Sequence, residues 1–241
     1  MAKKDYFLLI DTETTQNQLV ADFGAIICDR KGQIFNQCAV MVDGIYTDSV
    51  NNPLFFDSKA PSSALWSKES ADKRYQVYNA MIKEGSRMIA SVAGINSWLA
   101  KAKAQYNPIL TAYNLSFDSG KCLNSLINLT LFDRNFDLMA VAQNMVLKDK
   151  KFLRFCLKNH LFSNRTKLGN MVFQMKAETL GNYYSRVINK EPHTALEDVT
   201  FFELPILLQV LKKYSVRKIL NKNWSSVAWQ NRQVKDFYKV K

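Results

Sequence analysis

The sequence predicts an α/β domain built on a mixed sheet, and three observations carry that prediction. The chain opens with three strand-like apolar runs separated by turn signals. Helical and strand-like patterns then alternate to near its end. Of its 241 residues 47% are hydrophobic, enough to bury one large core.

The first run, "YFLLI", passes directly into Asp11 and Glu13. The second and third, "LVADFGAIICD" and "QIFNQCAVMV", flank Arg30, Lys31 and Gly32, a glycine-containing turn that reads as a hairpin. The chain therefore begins as an antiparallel meander. Segment 47–67 carries several turn-forming clusters and no periodicity, which predicts a long loop or lid. Two helices are expected next, "ADKRYQVYNAMIKEG" and "MIASVAGINSWLAKAKAQ"; in the second, Ile89, Val92, Ile95, Trp98 and Leu99 share a face. "PILTAYN" reads as a strand, "CLNSLINLTLF" as a helix, "FDLM" as a short strand and "AVAQNMVL" as a helix. A basic region over 148–167 precedes two last helices, "KAETLGNYYSRVI" and "TALEDVTFFELPILLQVLKK". The main domain is read as 1–213, and 214–241 as a basic, aromatic C-terminal extension.

Charge bears on partners. The 33 Lys and Arg against 21 Asp and Glu give +12, which favours a polyanion, nucleic acid ahead of a membrane surface. The apolar run at 6–10 is too short for a signal-peptide core, and no stretch approaches the ~20 apolar residues of a transmembrane helix. Cys28, Cys38, Cys122 and Cys156 lack metal-like spacing and read as buried thiols, so a cytoplasmic protein without membrane attachment is expected.

On a strand, Asp11 and Glu13 share one face with Cα atoms ~6.6 Å apart. Two carboxylates so close repel each other unless a cation joins them, and Mg2+ suits such oxygen ligands. By itself the pair reads more readily as surface decoration. In "AYNLSFDSGKCL", Asn114 and Asp118 straddle the passage from strand to helix; the plain reading is that Asn114 and Ser116 cap that helix and Asp118 favours its dipole. In "EPHTALEDV", Thr194 and Glu197 form a capping-box pattern, so a helix should start after Thr194, with Asp198 in its opening turns and His193 on the preceding loop. A fixed carboxylate beside an imidazole suits metal-assisted hydrolysis. The other histidine, His160, lies in a basic stretch and suggests no role.

Taken in order, Asp11-x-Glu13, Asn114-x3-Asp118 and His193-x4-Asp198 resemble the motif set of the DEDDh 3′-to-5′ exonucleases, a family on the ribonuclease H-like fold. It includes proofreading exonuclease subunits, ribonuclease T and oligoribonuclease. The resemblance covers about 6–211, and "LVADFGAIICDRKGQIF" and "LGNYYSRVINKEPHTALEDV" are similar to family segments. Segment 44–86 and the tail after Lys212 have no family counterpart, and "TTQ" stands where glycine often follows the first motif.

The resemblance implies a three-antiparallel-then-parallel sheet flanked by helices and a two-metal site for Mg2+ or Mn2+. Asp11 would bridge both ions, Glu13 and Asp198 would complete one site, and Asp118 would contribute directly or through water. His193 would be the general base. Ions ~3.5–4 Å apart stabilise both the entering and the departing oxygen of a phosphodiester. The backbone at Thr14 and Thr15 would approach the terminal nucleotide, with Asn114 nearby, and Phe117 would pack on it unless it serves the core. The expected activity is removal of nucleoside monophosphates from single-stranded 3′ ends, DNA favoured over RNA. The alternatives are an exoribonuclease and a catalytically silent nucleic-acid-binding module.

Two basic tracts agree with such a partner. One holds Lys148, Lys150, Lys151, Arg154, Lys158, Arg165 and Lys167 among Phe152, Phe155 and Phe162. The other holds Arg217, Lys218, Lys222, Arg232, Lys235, Lys239 and Lys241 among Trp224, Trp229, Phe237 and Tyr238. Cations interleaved with rings suit single-stranded nucleic acid, although a charge run is often only a solvated face.

Overall fold

The apolar run "YFLLI" forms the first half of strand β1 (Tyr6–Thr14), where Phe7, Leu8, Leu9 and Ile10 are all fully buried. A strand buried on both faces must be covered by helices on both sides. Phe7 and Leu9 face one hydrophobic core, and Leu8 and Ile10 face a second. A computed structural model describes residues 4–54, 68–164 and 170–238.

β1 pairs antiparallel with β2 (Val20–Asp29), and β2 with β3 (Ile34–Val42). The expected hairpin turn is present, with Gly32 at φ 84° and the Asp29 carboxylate accepting the N–H groups of Lys31 and Gln33. β4 (Met88–Ala90) adds to β3 in parallel, while β5 (Ile109–Ala112) and β6 (Asn135–Asp137) extend the sheet in parallel from β1. The six-stranded order is β4-β3-β2-β1-β5-β6, with antiparallel pairing in the central β3-β2-β1 meander and parallel pairing on both sides of it. β7 (Phe162–Asn164) and β8 (Met171–Phe173) form a separate two-stranded ribbon.

Helices α1 (Lys68–Lys83), α2 (Val92–Tyr106) and α3 (Leu115–Asn124) follow strands or loops of the first half. The single helix expected over 88–105 is divided, because Met88–Ala90 pairs with β3 and Ser91 then accepts the Gly94 N–H as N-cap. Ile89 is therefore on an edge strand, and Ile95, Leu99 and Ala102 form the buried face. The helix expected over 122–132 instead runs Leu115–Asn124, and Leu126, at φ 61°, lies beyond its end. Only a short 3-10 turn occupies Leu129–Leu131.

α4 (Leu138–Val146), α5 (Lys150–Lys158) and α6 (Ala177–Ser185) precede α7 (Ala195–Asp198). α7 continues through a π-helical turn (Val199–Glu203) into α8 (Leu204–Lys213), so the last expected helix is present with a change of winding inside it. After it come α9 (Val216–Asn221), a 3-10 turn (Trp229–Arg232) and α10 (Val234–Phe237). This C-terminal segment packs back on the body: Val227 N–H donates to Gln143, Asn144 donates to the Ser225 carbonyl, and Val216, Ile219 and Val234 join the first core.

All four cysteines are buried free thiols, as expected. Among the described residues no helix is long and apolar enough to cross a membrane. Of the expected lid, 47–54 forms turns anchored by buried Leu54, and 55–67 lies outside the described residues.

Candidate functional site

The pairing of β1 with β5 reaches only Leu9↔Thr111, so β1 runs on past β5 with one side open. A crevice at the carboxyl ends of parallel strands is where open α/β sheets tend to hold ligands. Asp11 and Glu13 lie on that projecting part, on the same face as Phe7 and Leu9. Thr12, on the opposite face, donates its hydroxyl to Asp118 Oδ1 at 2.8 Å, which ties α3 to the strand end. Asp118 is in the first turn of α3 and only 2% exposed.

Asp198 arrives from the other side of the sheet on α7. Opposite Asp11 on β2 is Gly24, and a Cβ there would lie 2.3 Å from Ala195 C and Leu196 N. Only glycine allows the α7 backbone to rest on the sheet at this point. Asp22 of β2 accepts the Ala195 N–H at 2.9 Å and so caps the helix. Arg87, 1% exposed, donates from Nε to Asp22 Oδ1 at 3.0 Å and from Nη2 to Glu197 Oε2 at 2.5 Å. The expected capping box is thus replaced: Thr194 is the N-cap residue but makes no side-chain cap bond, and Glu197 turns to Arg87 instead.

His193 precedes α7 in the left-handed region, φ 58°. Its carbonyl accepts from Arg74 Nη1 at 2.5 Å and from the Tyr78 hydroxyl at 3.4 Å, both from α1. Its Nδ1 stands 3.9 Å from Glu13 Oε1. Ligand atoms of Glu13, His193 and Asp198 all lie within 4.8 Å of one another, the spacing of a metal-binding group.

A further carboxylate, Glu203, comes in from the π turn on the side of Asp11 and Asp118. With Asp11, Asp118 and Glu191 it lines a cavity of about 530 Å³. Burial pushes these acids up: Asp118 to about 7, Glu13 to about 8 and Asp198 to about 9. Asp11 and Glu203 are raised well above the carboxylate range, by burial first and then by negative neighbours, with Asp118 foremost. The Arg74 guanidinium draws Glu13 and Asp198 back down.

The expected nucleotide contacts fare unevenly. Thr15 is fully buried and its N–H is already donated to the Leu19 carbonyl. Thr14, also buried, sits beside a bulge in the pairing with β2. Asn114 is left-handed at φ 81° and provides no side-chain cap; the Asp137 carboxylate receives the N–H groups of Asn114 and Leu115 instead. Phe117 is 45% exposed with Lys121 Nζ 4.5 Å from its ring centroid, so it is a surface ring at the cavity and not a core residue.

The basic tracts offer fewer open rings than their sequence suggests. Phe152 is fully buried, Phe155 packs on Tyr183, Trp224 packs on Tyr214, and Phe237 packs on Phe173. Tyr238 is exposed, and Arg232 lines the cavity. Arg165, Lys167, Lys239, Lys241 and the Trp229 side chain lie outside the described residues. His160, left-handed at φ 54°, meets Phe162 edge-on.

Motif reading missed Arg74, Arg87, Glu191 and Glu203. For Glu203 a signal exists, since a lone carboxylate within the apolar run "VTFFELPILL" must find a polar reason to be buried. No protein-family model matches the chain, and neither does any curated protein.

Proposed function

We propose that the protein is a metal-dependent 3′-to-5′ exonuclease of the DEDDh type on a ribonuclease H-like fold, acting on single-stranded nucleic-acid ends, DNA before RNA. The observation that carries this reading is the convergence of Glu13, His193 and Asp198 within 4.8 Å at the open end of β1, beside Asp11 and Asp118.

The donor set fits divalent cations. Asp198 Oδ1 is buried without a hydrogen-bond partner in a cluster where every neighbouring carboxylate raises the cost of charge. Hard cations take such oxygen ligands and remove that cost. Asp11, Glu13 and Asp198, with Asp118, would hold two ions, Mg2+ or Mn2+. When bound, the ions supply charge neutralisation at the phosphodiester and acidify the attacking water.

The chain's own residues do the rest. His193, held by its carbonyl and facing Glu13 through Nδ1, takes a proton from water as the oxygen attacks phosphorus. The P–O3′ bond breaks and a nucleoside 5′-monophosphate leaves. Arg74, by depressing Glu13 and Asp198, keeps both closer to the ionised form a cation needs.

The test is digestion of 3′- and 5′-labelled DNA and RNA oligonucleotides, with free or blocked 3′ ends, in Mg2+ and in chelator. Stepwise shortening from free 3′ ends, in Mg2+ only, is the expected result. Identical behaviour in metal and chelator would overturn the proposal.

A further inference from the structure

Resting on that reading, we infer that Glu203 is a further carboxylate ligand of the cation site, on the side shared by Asp11 and Asp118. No motif marks it. Its placement depends on the winding of one helical turn.

In an α-helix, residues five apart are turned ~140° from each other, so Asp198 and Glu203 would diverge. Between α7 and α8 the backbone instead closes an i to i+5 bond, from Leu204 N–H to the Val199 carbonyl. Thr200 donates its hydroxyl to the Leu196 carbonyl at 2.7 Å at the start of this turn. From outside, α6 presses on it: a Cβ at Gly181 would lie 2.8 Å from Phe202 Cα and 2.9 Å from its carbonyl oxygen. The wide turn is clamped between a helix and the sheet, and π turns recur at functional positions.

The turn delivers Glu203 to the cavity at 2% exposure. The Tyr113 main-chain N–H, just past the end of β5, donates to its carboxylate. The remaining oxygen, Oε2, is buried with no hydrogen-bond partner. A glutamate needed only to receive Tyr113 would leave no orphan oxygen among Asp11, Asp118 and Asp198, since an amide would serve better. An orphan carboxylate oxygen on a residue that shares a cavity with other acids is what a cation would satisfy.

The test is Mn2+ titration of the full chain, followed by electron paramagnetic resonance of the free ion, for wild type, Glu203→Gln and Asp11→Asn. Glutamine keeps the acceptor for Tyr113 and removes the charge. Glu203→Gln is expected to lose tenfold or more in affinity for one Mn2+ class while its metal-free thermal midpoint is unchanged or higher. Should that variant fail to fold, Glu203→Asp, which keeps the charge but withdraws it by one methylene, is expected to bind that Mn2+ more weakly. Wild-type isotherms in a folded Glu203→Gln, or in Glu203→Asp, would overturn the assignment while leaving the cation site intact. Absence of Mn2+ binding in the wild type would overturn both, and Asp11→Asn separates the two, since it alone should abolish binding altogether.

Discussion

Arg74 Nη1 lies 2.5 Å from the carbonyl oxygen of His193. The same guanidinium reaches the Pro192 carbonyl at 3.0 Å, so α1 fixes the loop that carries the imidazole in its left-handed conformation. For Arg74→Ala the expectation is a fall in kcat of ~10–100-fold with KM little changed, because a base displaced by about an ångström loses its alignment. A second readout separates charge from packing. Without that cation Glu13 and Asp198 retain protons to higher pH, so the pH midpoint of Mn2+ binding moves upward, and Arg74→Lys restores part of it. An unmoved midpoint would refute the electrostatic role.

Gly24→Ala tests how α7 is seated. The added methyl would sit 2.3 Å from two main-chain atoms, so the helix must lift away from β2 and take Asp198 with it. Destabilisation of ~1–3 kcal/mol in urea is expected from the overpacking, and metal binding should weaken beyond what partial unfolding explains. Wild-type Mn2+ affinity in this variant would show that the close approach does not position Asp198.

The buried Arg87 holds Asp22 and Glu197 together, and α7 is anchored through both. Removing the cation alone, as in Arg87→Met, strands Asp22 in the core. A loss of ~3–5 kcal/mol is expected. Combining Arg87→Met with Asp22→Asn and Glu197→Gln should recover much of it, since no charge then remains unpaired. If the triple variant is no more stable than Arg87→Met, uncompensated charge is not the cause.

Stability of the metal-free protein should depend on pH in a definite direction. Asp118, Glu13 and Asp198 have folded values of about 7, 8 and 9, against ~4 for free carboxylates. Between these limits the folded state binds more protons than the unfolded one, so stability falls as pH rises from about 4 to about 9. The thermal midpoint in chelator should drop across that window, at ~2–4 °C per kcal/mol for a chain of this size. Excess Mg2+ should flatten the slope by favouring the ionised site. A midpoint in chelator that rises with pH would contradict the arrangement.

Much of the frame could be read from residue order. The apolar run ending in Asp11 and Glu13 gives a central strand and its carboxylates, because burial on both faces leaves an unbroken hydrophobic signature. Asp118 and Asp198 could be placed on helices because turn signals precede them. The edge strand β4 escaped detection: its three residues are half-exposed and take their conformation from pairing with β3, a partner 48 residues earlier at Val40↔Met88. Arg87 was unreadable for a similar reason, as its partners come from β2 and α7. Phe117, read either as a nucleotide contact or as a core residue, is exposed: α3 begins seven residues before the helix expected from "CLNSLINLTLF" and buries Leu115, Asp118 and Cys122 instead.

The helix bearing Asp198 answers to two rotational phases. Its first turn is set by contact with the sheet at Gly24 and by Asp22, while Leu207, Val210 and Leu211 further along are set by the main core. Five residues wound as a π turn reconcile the two, acting as a mechanical joint between a polar docking and an apolar one. Deleting one residue there, such as Thr200, would restore regular winding and leave the chain able to satisfy either the carboxylates or the core, but not both.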